Sequence, residues 1–173
     1  SGLTHDYFSA VLESFKTAAA SRGYDITFLN THTGSRSYLE TCRHRSMDGV
    51  VIACIDFERP EVIELMNSSM PVVTIDYQYE SCSSVVSENQ KGMQDLVEYI
   101  VRCGHRRIAY IHGDMNSSVT HTRLNAFRNT LAQHDIPVNE ELILPSSYLD
   151  LNASAACTRE LLSLPVLPDC ILY

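Results

Sequence analysis

The chain has 173 residues, of which 45% are hydrophobic and 20% charged, with a net charge of −8, the make-up of a globular domain with a sizeable core. No apolar run approaches the ~18 residues of a membrane span, and the opening SGLTHDYF lacks the basic and apolar regions of a secretion signal. The acidic balance argues against nucleic-acid binding through this surface, which needs clustered Lys and Arg.

In chain order, Asp6 to Ser21 reads as a helix, with Phe8, Val11, Leu12, Phe15, Ala18 and Ala19 on one stripe. Gly23 is placed to stop it, and Tyr24 to Asn30 (YDITFLN) then reads as a strand. Arg36 to Arg45 is a weaker helix. Gly49 to Ile55 (GVVIACI) is apolar and β-branched throughout, as expected of a parallel strand covered on both faces. Pro60 opens a short helix at its first turn. Pro71 to Asp76 (PVVTID) is a buried strand, and Val85-Val86 marks a short one.

The plan then repeats. Gln90 to Cys103 is a helix with Met93, Leu96, Val97, Ile100 and Val101 on one face, ended by Gly104. Ile108 to Ile111 is a strand, and Thr122 to His134 a helix with Leu124, Phe127 and Leu131 inward. Leu142 to Leu144, Ala153 to Leu164 and Cys170 to Tyr173 read as strand, helix and strand. Alternation of this kind implies parallel sheets wound by right-handed crossovers. Two similar halves are expected, divided at residues 1–88 and 89–173. Because the chain opens on a helix and stops inside a strand, it is expected to be part of a larger domain, with the first strand missing and the second half incomplete.

None of the six cysteines forms a CxxC pair or stands at zinc-like spacing from a histidine. Cys54 and Cys170 sit in apolar strand-like runs, as free buried thiols do. A reducing, cytoplasmic setting follows, and no metal or cofactor is expected. The basic cluster His105-Arg106-Arg107 reads as a solvated corner.

Ligands of open α/β sheets bind beyond the carboxyl ends of the strands. That rule selects Asp56 and Phe57, Asp76 and Tyr77, Ser87 to Asn89, His112 to Asp114, and Ser147 and Tyr148. Rings, carboxylates, amides and an arginine suit a sugar, and would also suit a purine. Asp76 also fits a turn acceptor, Tyr77 a packing ring, and Asn89 a helix N-cap. Catalytic signatures are absent: there is no GxSxG, GxxxxGK[ST], HExxH or GxGxxG. His112 with Asp114 fits a structural histidine beside a turn aspartate better than an acid–base pair.

Several segments, in order, resemble the sensing core of LacI/GalR transcription regulators: HDYFSAVLESFKTAAASRGYDITFLN, MDGVVIA, MPVVTID, SENQKG, CGHRRIAYIHG, RLNAFRNTL and LPDCILY. The resemblance implies a two-lobed, periplasmic-binding-protein-like α/β fold with parallel sheets flanked by helices. It implies an effector pocket using Tyr7, Phe8, Tyr77, Glu88, Arg123 and Tyr148, with Asp56 added by the strand-end rule. Glu88 departs from the family's usual Asp, and Asn125-Ala126-Phe127 lacks its usual glycine. A homodimer is implied, responding to a small molecule by lobe closure and reading DNA only through a headpiece outside this chain, with no membrane partner. The alternatives are an extracytoplasmic sugar-binding protein of the same fold, and an α/β enzyme using Asp114, His112 or Glu88 on a sugar.

Overall fold

The computed structural model describes residues 6–29, 36–148 and 150–173, with the side chains of residues 6–8 outside that description. The chain divides into two compact units, Ser1–Ser84 and Val85–Tyr173.

The first unit holds α1 (Asp6–Ala20), α2 (Tyr38–His44), β1 (Val50–Ile52), α3 (Pro60–Met66) and β2 (Val72–Ile75), and leads into β3 (Ser83–Val85). The sheet order is β1-β2-β3. β1 and β2 run parallel with Val50 opposite Val72 and Ile52 opposite Thr74. Helix α2 starts on a capping box: the Ser37 hydroxyl accepts the Glu40 N–H at 3.3 Å, and the Glu40 carboxylate accepts the Ser37 N–H at 3.0 Å. Pro60 is the first residue of α3, where its missing N–H costs no hydrogen bond. Leu39 and Cys42 of α2 and Val62, Leu65 and Met66 of α3 close over Ile52 and Val72.

Several expectations fail in this unit. Tyr24 to Leu29 joins no ladder, because alternation specifies an extended backbone but not a hydrogen-bonding neighbour. The described part of the α1 apolar stripe is only partly covered: Val11, Leu12 and Ala19 are half-buried, none of its described residues is buried, and Phe15 is exposed. Strand β1 is covered on one face only: Ile52 is buried, while Val51 on the alternate face is 38% exposed. The strand also ends before Cys54, whose thiol is exposed and whose backbone is left-handed (φ 57°). Cys170 is half-buried, and Cys42 is the buried thiol.

The second unit holds α4 (Asn89–Arg102), β4 (Ile108–His112), α5 (Ser118–Gln133), β5 (Ile143–Pro145), α6 (Leu151–Leu162) and β6 (Cys170–Leu172). Its sheet order is β5-β4-β6, with both pairings parallel. Every residue of β4 is buried. Ile108 and Tyr110 face Met93, Val97, Ile100 and Val101 of α4 and Leu124, Phe127 and Leu131 of α5. Ala109 and Ile111 face the other way, onto Leu161 of α6 and Leu142. This is the two-sided cover that a parallel strand needs. Leu96, expected inward, lies at the edge of the α4 stripe and is exposed. Gly104 ends α4 in a left-handed conformation (φ 98°) that a side chain would strain.

The basic corner is consumed by the fold. The Asp169 carboxylate, just before β6, accepts the N–H groups of Arg106 (2.9 Å) and Arg107 (3.2 Å) and lies 3.5 Å from His105 Nδ1. The Arg107 guanidinium reaches Glu141 at 2.6 Å, ahead of β5. One motif therefore pins the amino-terminal ends of all three strands of this sheet. Burial pushes the Asp169 carboxyl up, but the two N–H donors and His105 outweigh it and hold it below its ordinary 3.8.

Phe127 is 1% exposed at the centre of this core. Phe127→Ala should cost about 3–5 kcal/mol in denaturant unfolding. A carboxyl held low when folded binds fewer protons than when unfolded. The Asp169 contribution is therefore present above its ordinary value and lost as pH falls through the folded one. Asp169→Asn should lower stability at pH 7 by about 1 kcal/mol and flatten the acid limb of a stability–pH profile.

Candidate functional site

Because β4, β5 and β6 run parallel, their carboxyl ends open on the same edge of the sheet. The register places His112 beside Pro145 and Tyr110 beside both Ile143 and Leu172. Beyond that edge lies a cleft of about 140 Å³. His112 and Gly113 enter it from β4, Ser146 to Tyr148 from the segment after β5, and Tyr173 from the end of β6. Arg123 of α5 and Ser154 of α6 complete the wall. Among the described residues no Asp or Glu lines it.

Each side chain is held. The Ser146 N–H donates to the His112 carbonyl at 2.8 Å, extending the ladder past Pro145. The Ser146 and Ser154 hydroxyls are 3.1 Å apart, and the Tyr173 hydroxyl meets Thr158 at 2.7 Å. His112 is buried, and its Nδ1 donates to the Gly113 carbonyl at 2.8 Å, so Nδ1 carries a proton. Arg123 Nε donates to Asn89 Oδ1 at 2.8 Å. Burial pushes the Tyr110 hydroxyl up to about 12; Tyr148 adds to the rise and the charge of Arg123 opposes it.

Tyr148 is 45% exposed, and its hydroxyl meets Thr120, fully buried in α5, at 2.9 Å. Its ring lies directly on the α-carbon of Gly113, where a β-carbon would overlap the ring. Glycine at 113 is thus required by close approach rather than by backbone angle.

In the first unit, the residues after β1 and β2 also gather. Phe57 and Tyr77 stack with ring centres 4.2 Å apart and planes 2° from parallel, and Tyr79 follows at 6.3 Å. The Tyr77 hydroxyl donates to Glu58 at 2.8 Å, which, with burial, raises its pKa. Asp76 turns the chain with φ 59°, and the buried Thr74 hydroxyl donates to the Tyr77 carbonyl at 2.5 Å. Asp56 accepts the Glu58 N–H at 3.0 Å in a local turn.

Of the residues expected to form a site, Asp56 and Tyr77 are thus neighbours in the first unit, and Arg123 and Tyr148 line one cleft in the second. Glu88 occupies the N-cap position of α4 without a side-chain cap bond, and does not line that cleft. The side chains of Tyr7 and Phe8 lie outside the described residues. Asn89 was expected as the N-cap; it is instead the first helical residue, and its side chain is drawn to Arg123. Of the three candidate acid–base residues, His112 alone lines the cleft. The Asp114 carboxylate accepts the Asn116 N–H at 2.9 Å, as a turn aspartate does. Ser146, Ser154 and Tyr173 were missed, although the strand-end rule applied one residue earlier finds Ser146. Among the described residues no cluster of His, Cys, Asp or Glu is placed to hold a metal.

Gly113→Ala should evict the Tyr148 ring and break its bond to Thr120, at a cost of about 1–3 kcal/mol. A crystal structure of the variant, or the Tyr148 ring resonances in NMR, would report it; an unmoved ring would disprove the close approach.

Residues 2–172 match the family described as periplasmic binding proteins and sugar binding domain of LacI family. The chain is 25% identical over 152 residues to the HTH-type transcriptional repressor PurR of Vibrio parahaemolyticus, covering 84% of this chain and 45% of that protein. It spans about half the length of the curated relatives it matches. A solved structure of a protein from Actinobacillus succinogenes superposes with a TM-score of 0.82 at 27% identity, covering 95% of this chain and 62% of that one. A LacI family transcriptional regulator from Lactobacillus casei, solved with bound glucose, superposes with a TM-score of 0.78 at 24% identity, covering 99% and 66%. The chain belongs to the family of periplasmic binding proteins and LacI-family sugar-binding domains.

Proposed function

We infer that this chain is the effector-sensing region of a LacI-type transcription regulator rather than an enzyme. The carrying observation is the cleft at the carboxyl ends of β4, β5 and β6, which Arg123 and Tyr148 line together with Ser146 and Ser154. A planar fork of donors, a ring and several hydroxyls recognise a small oxygen-rich molecule. Asp56 and Tyr77 in the first unit, with Tyr7, Phe8 and Glu88, belong to the same proposed set. The glucose-bound Lactobacillus casei regulator supports a sugar first, and the rings of the set suit a purine second. Among the described residues no helix is long and apolar enough to cross a membrane.

The regulator would work as a cytoplasmic homodimer that contacts DNA through a separate headpiece, since an acidic chain of net charge −8 is unsuited to the phosphate backbone. The effector acts by binding one conformation of the sensing region more tightly than another, and shifts the equilibrium by that difference alone.

Thermal unfolding with sugars and purines tests this. A true effector at a hundredfold excess over its Kd should stabilise the protein by about 2.7 kcal/mol. Arg123→Ala should weaken that ligand by about tenfold or more, through loss of a charged, forked donor. If every sugar and purine leaves unfolding unchanged, and wild type and the variant behave alike, the assignment falls.

A further inference from the structure

The hold on Arg123 comes from a neutral group. Some cations of this chain sit against carboxylates, as Arg59 on Glu61, Lys91 on Asp95, Arg107 on Glu141 and Arg128 on Glu140 do, and others on backbone carbonyls, as Arg22 and Arg106 do. Arg123 is gripped instead by the amide oxygen of Asn89, at 2.8 Å from Nε. The orientation of that amide is fixed from its other end, where Nδ2 donates to the Ser87 carbonyl at 3.2 Å. An amide orients a guanidinium without neutralising it. Among the described residues the cleft wall supplies no carboxylate in its place.

The grip also decides which edge of the guanidinium is offered. With Nε engaged, the end of the fork remains, with two terminal nitrogens that fit the paired oxygens of a carboxylate or phosphate. At about 140 Å³ the cleft is smaller than a typical whole-ligand pocket, so this unit takes one polar end of a ligand. Serine hydroxyls 146 and 154 stand on the same wall and can donate to anionic oxygens.

We propose that Asn89 is a specificity-determining positioning residue: it holds Arg123 as a cation with no carboxylate directly against it, so that the effector is an anionic molecule docking a carboxylate or phosphate group end-on against Arg123. This deepens the effector-sensing reading and rests on it. It narrows the ligand from a neutral sugar or base to a sugar acid, sugar phosphate or nucleotide. Asn89→Asp keeps an oxygen on Nε but adds the missing negative charge, and so cancels the preference.

The test is calorimetric titration of the protein with matched sets: D-glucose against D-glucose 6-phosphate and D-glucuronate, and adenosine against adenosine 5′-monophosphate. The charged member of at least one set should bind about tenfold or more tighter than its neutral counterpart. In Asn89→Asp that ratio should fall by about tenfold. Asn89→Leu, which removes the hold without adding charge, should weaken the charged ligand yet keep the ratio above one. Melting curves of both variants should overlay the wild type, since Asn89 is partly exposed at a helix start. The phosphate and uronate arms distinguish the two anionic groups. A neutral member that binds as tightly as its charged counterpart, or a ratio unmoved by Asn89→Asp, overturns the charge assignment and leaves the sensing role standing. Silence across every set overturns both.

Discussion

A parallel strand buried on both faces is a severe demand, and β4 makes it. All five residues from Ile108 to His112 are out of solvent, so each backbone group must find a ladder partner and each side chain a packing partner. β5 and β6 meet the first demand on either edge, and α4, α5 and α6 meet the second. The order of elements follows: helices must return the chain from the end of one parallel strand to the start of the next. The two edges of the sheet therefore differ in kind. The starts of the strands are tied by Asp169, Arg106, Arg107 and Glu141. The ends open on tyrosines, serines, His112 and Arg123. Stabilising ties are concentrated at one edge and the proposed recognition at the other, as the shared strand direction allows.

The separation of roles is visible in the charges. The basic run His105-Arg106-Arg107 lies beside a carboxylate and serves the fold. Arg123, isolated in sequence, meets an amide and serves the cleft. Clustering of charge along the chain is thus a poor guide to where charge is available. What matters is the neighbour the fold supplies: Glu141 takes the Arg107 guanidinium, backbone carbonyls take that of Arg106, and Asp169 stands beside His105.

The second unit was legible because its demands are local and periodic. The spacing of Met93, Val97, Ile100 and Val101 marks a helix face, and the unbroken apolar run Ile108 to Ile111 marks a strand that needs cover on both sides. The first unit was less so. YDITFLN carries the alternation of a strand, but a strand exists only with a neighbour, and residue pattern does not name one. GVVIACI overstated its strand because Cys54 takes a left-handed turn, a departure that no β-branched run announces. At the site, Arg123 and Tyr148 were reached through family resemblance and strand ends. The role of Asn89 was hidden because a polar residue at a helix start is most often a cap, and only the position of α5 shows its amide being drawn elsewhere. The need for Gly113 was hidden in the same way, since it arises from a ring 35 positions further on.

The chain contains no tryptophan and nine tyrosines. In the second unit the tyrosines are Tyr99, Tyr110, Tyr148 and Tyr173, and three of these four line the cleft. The ultraviolet emission of that unit therefore belongs largely to the cleft walls, undiluted by an indole. Tyr148 contributes a phenol whose hydroxyl is tied to Thr120 and whose ring rests on bare backbone; anything that loosens either contact alters its emission. The arrangement that positions the cleft thus places three natural fluorophores in its wall, with no label or engineered reporter.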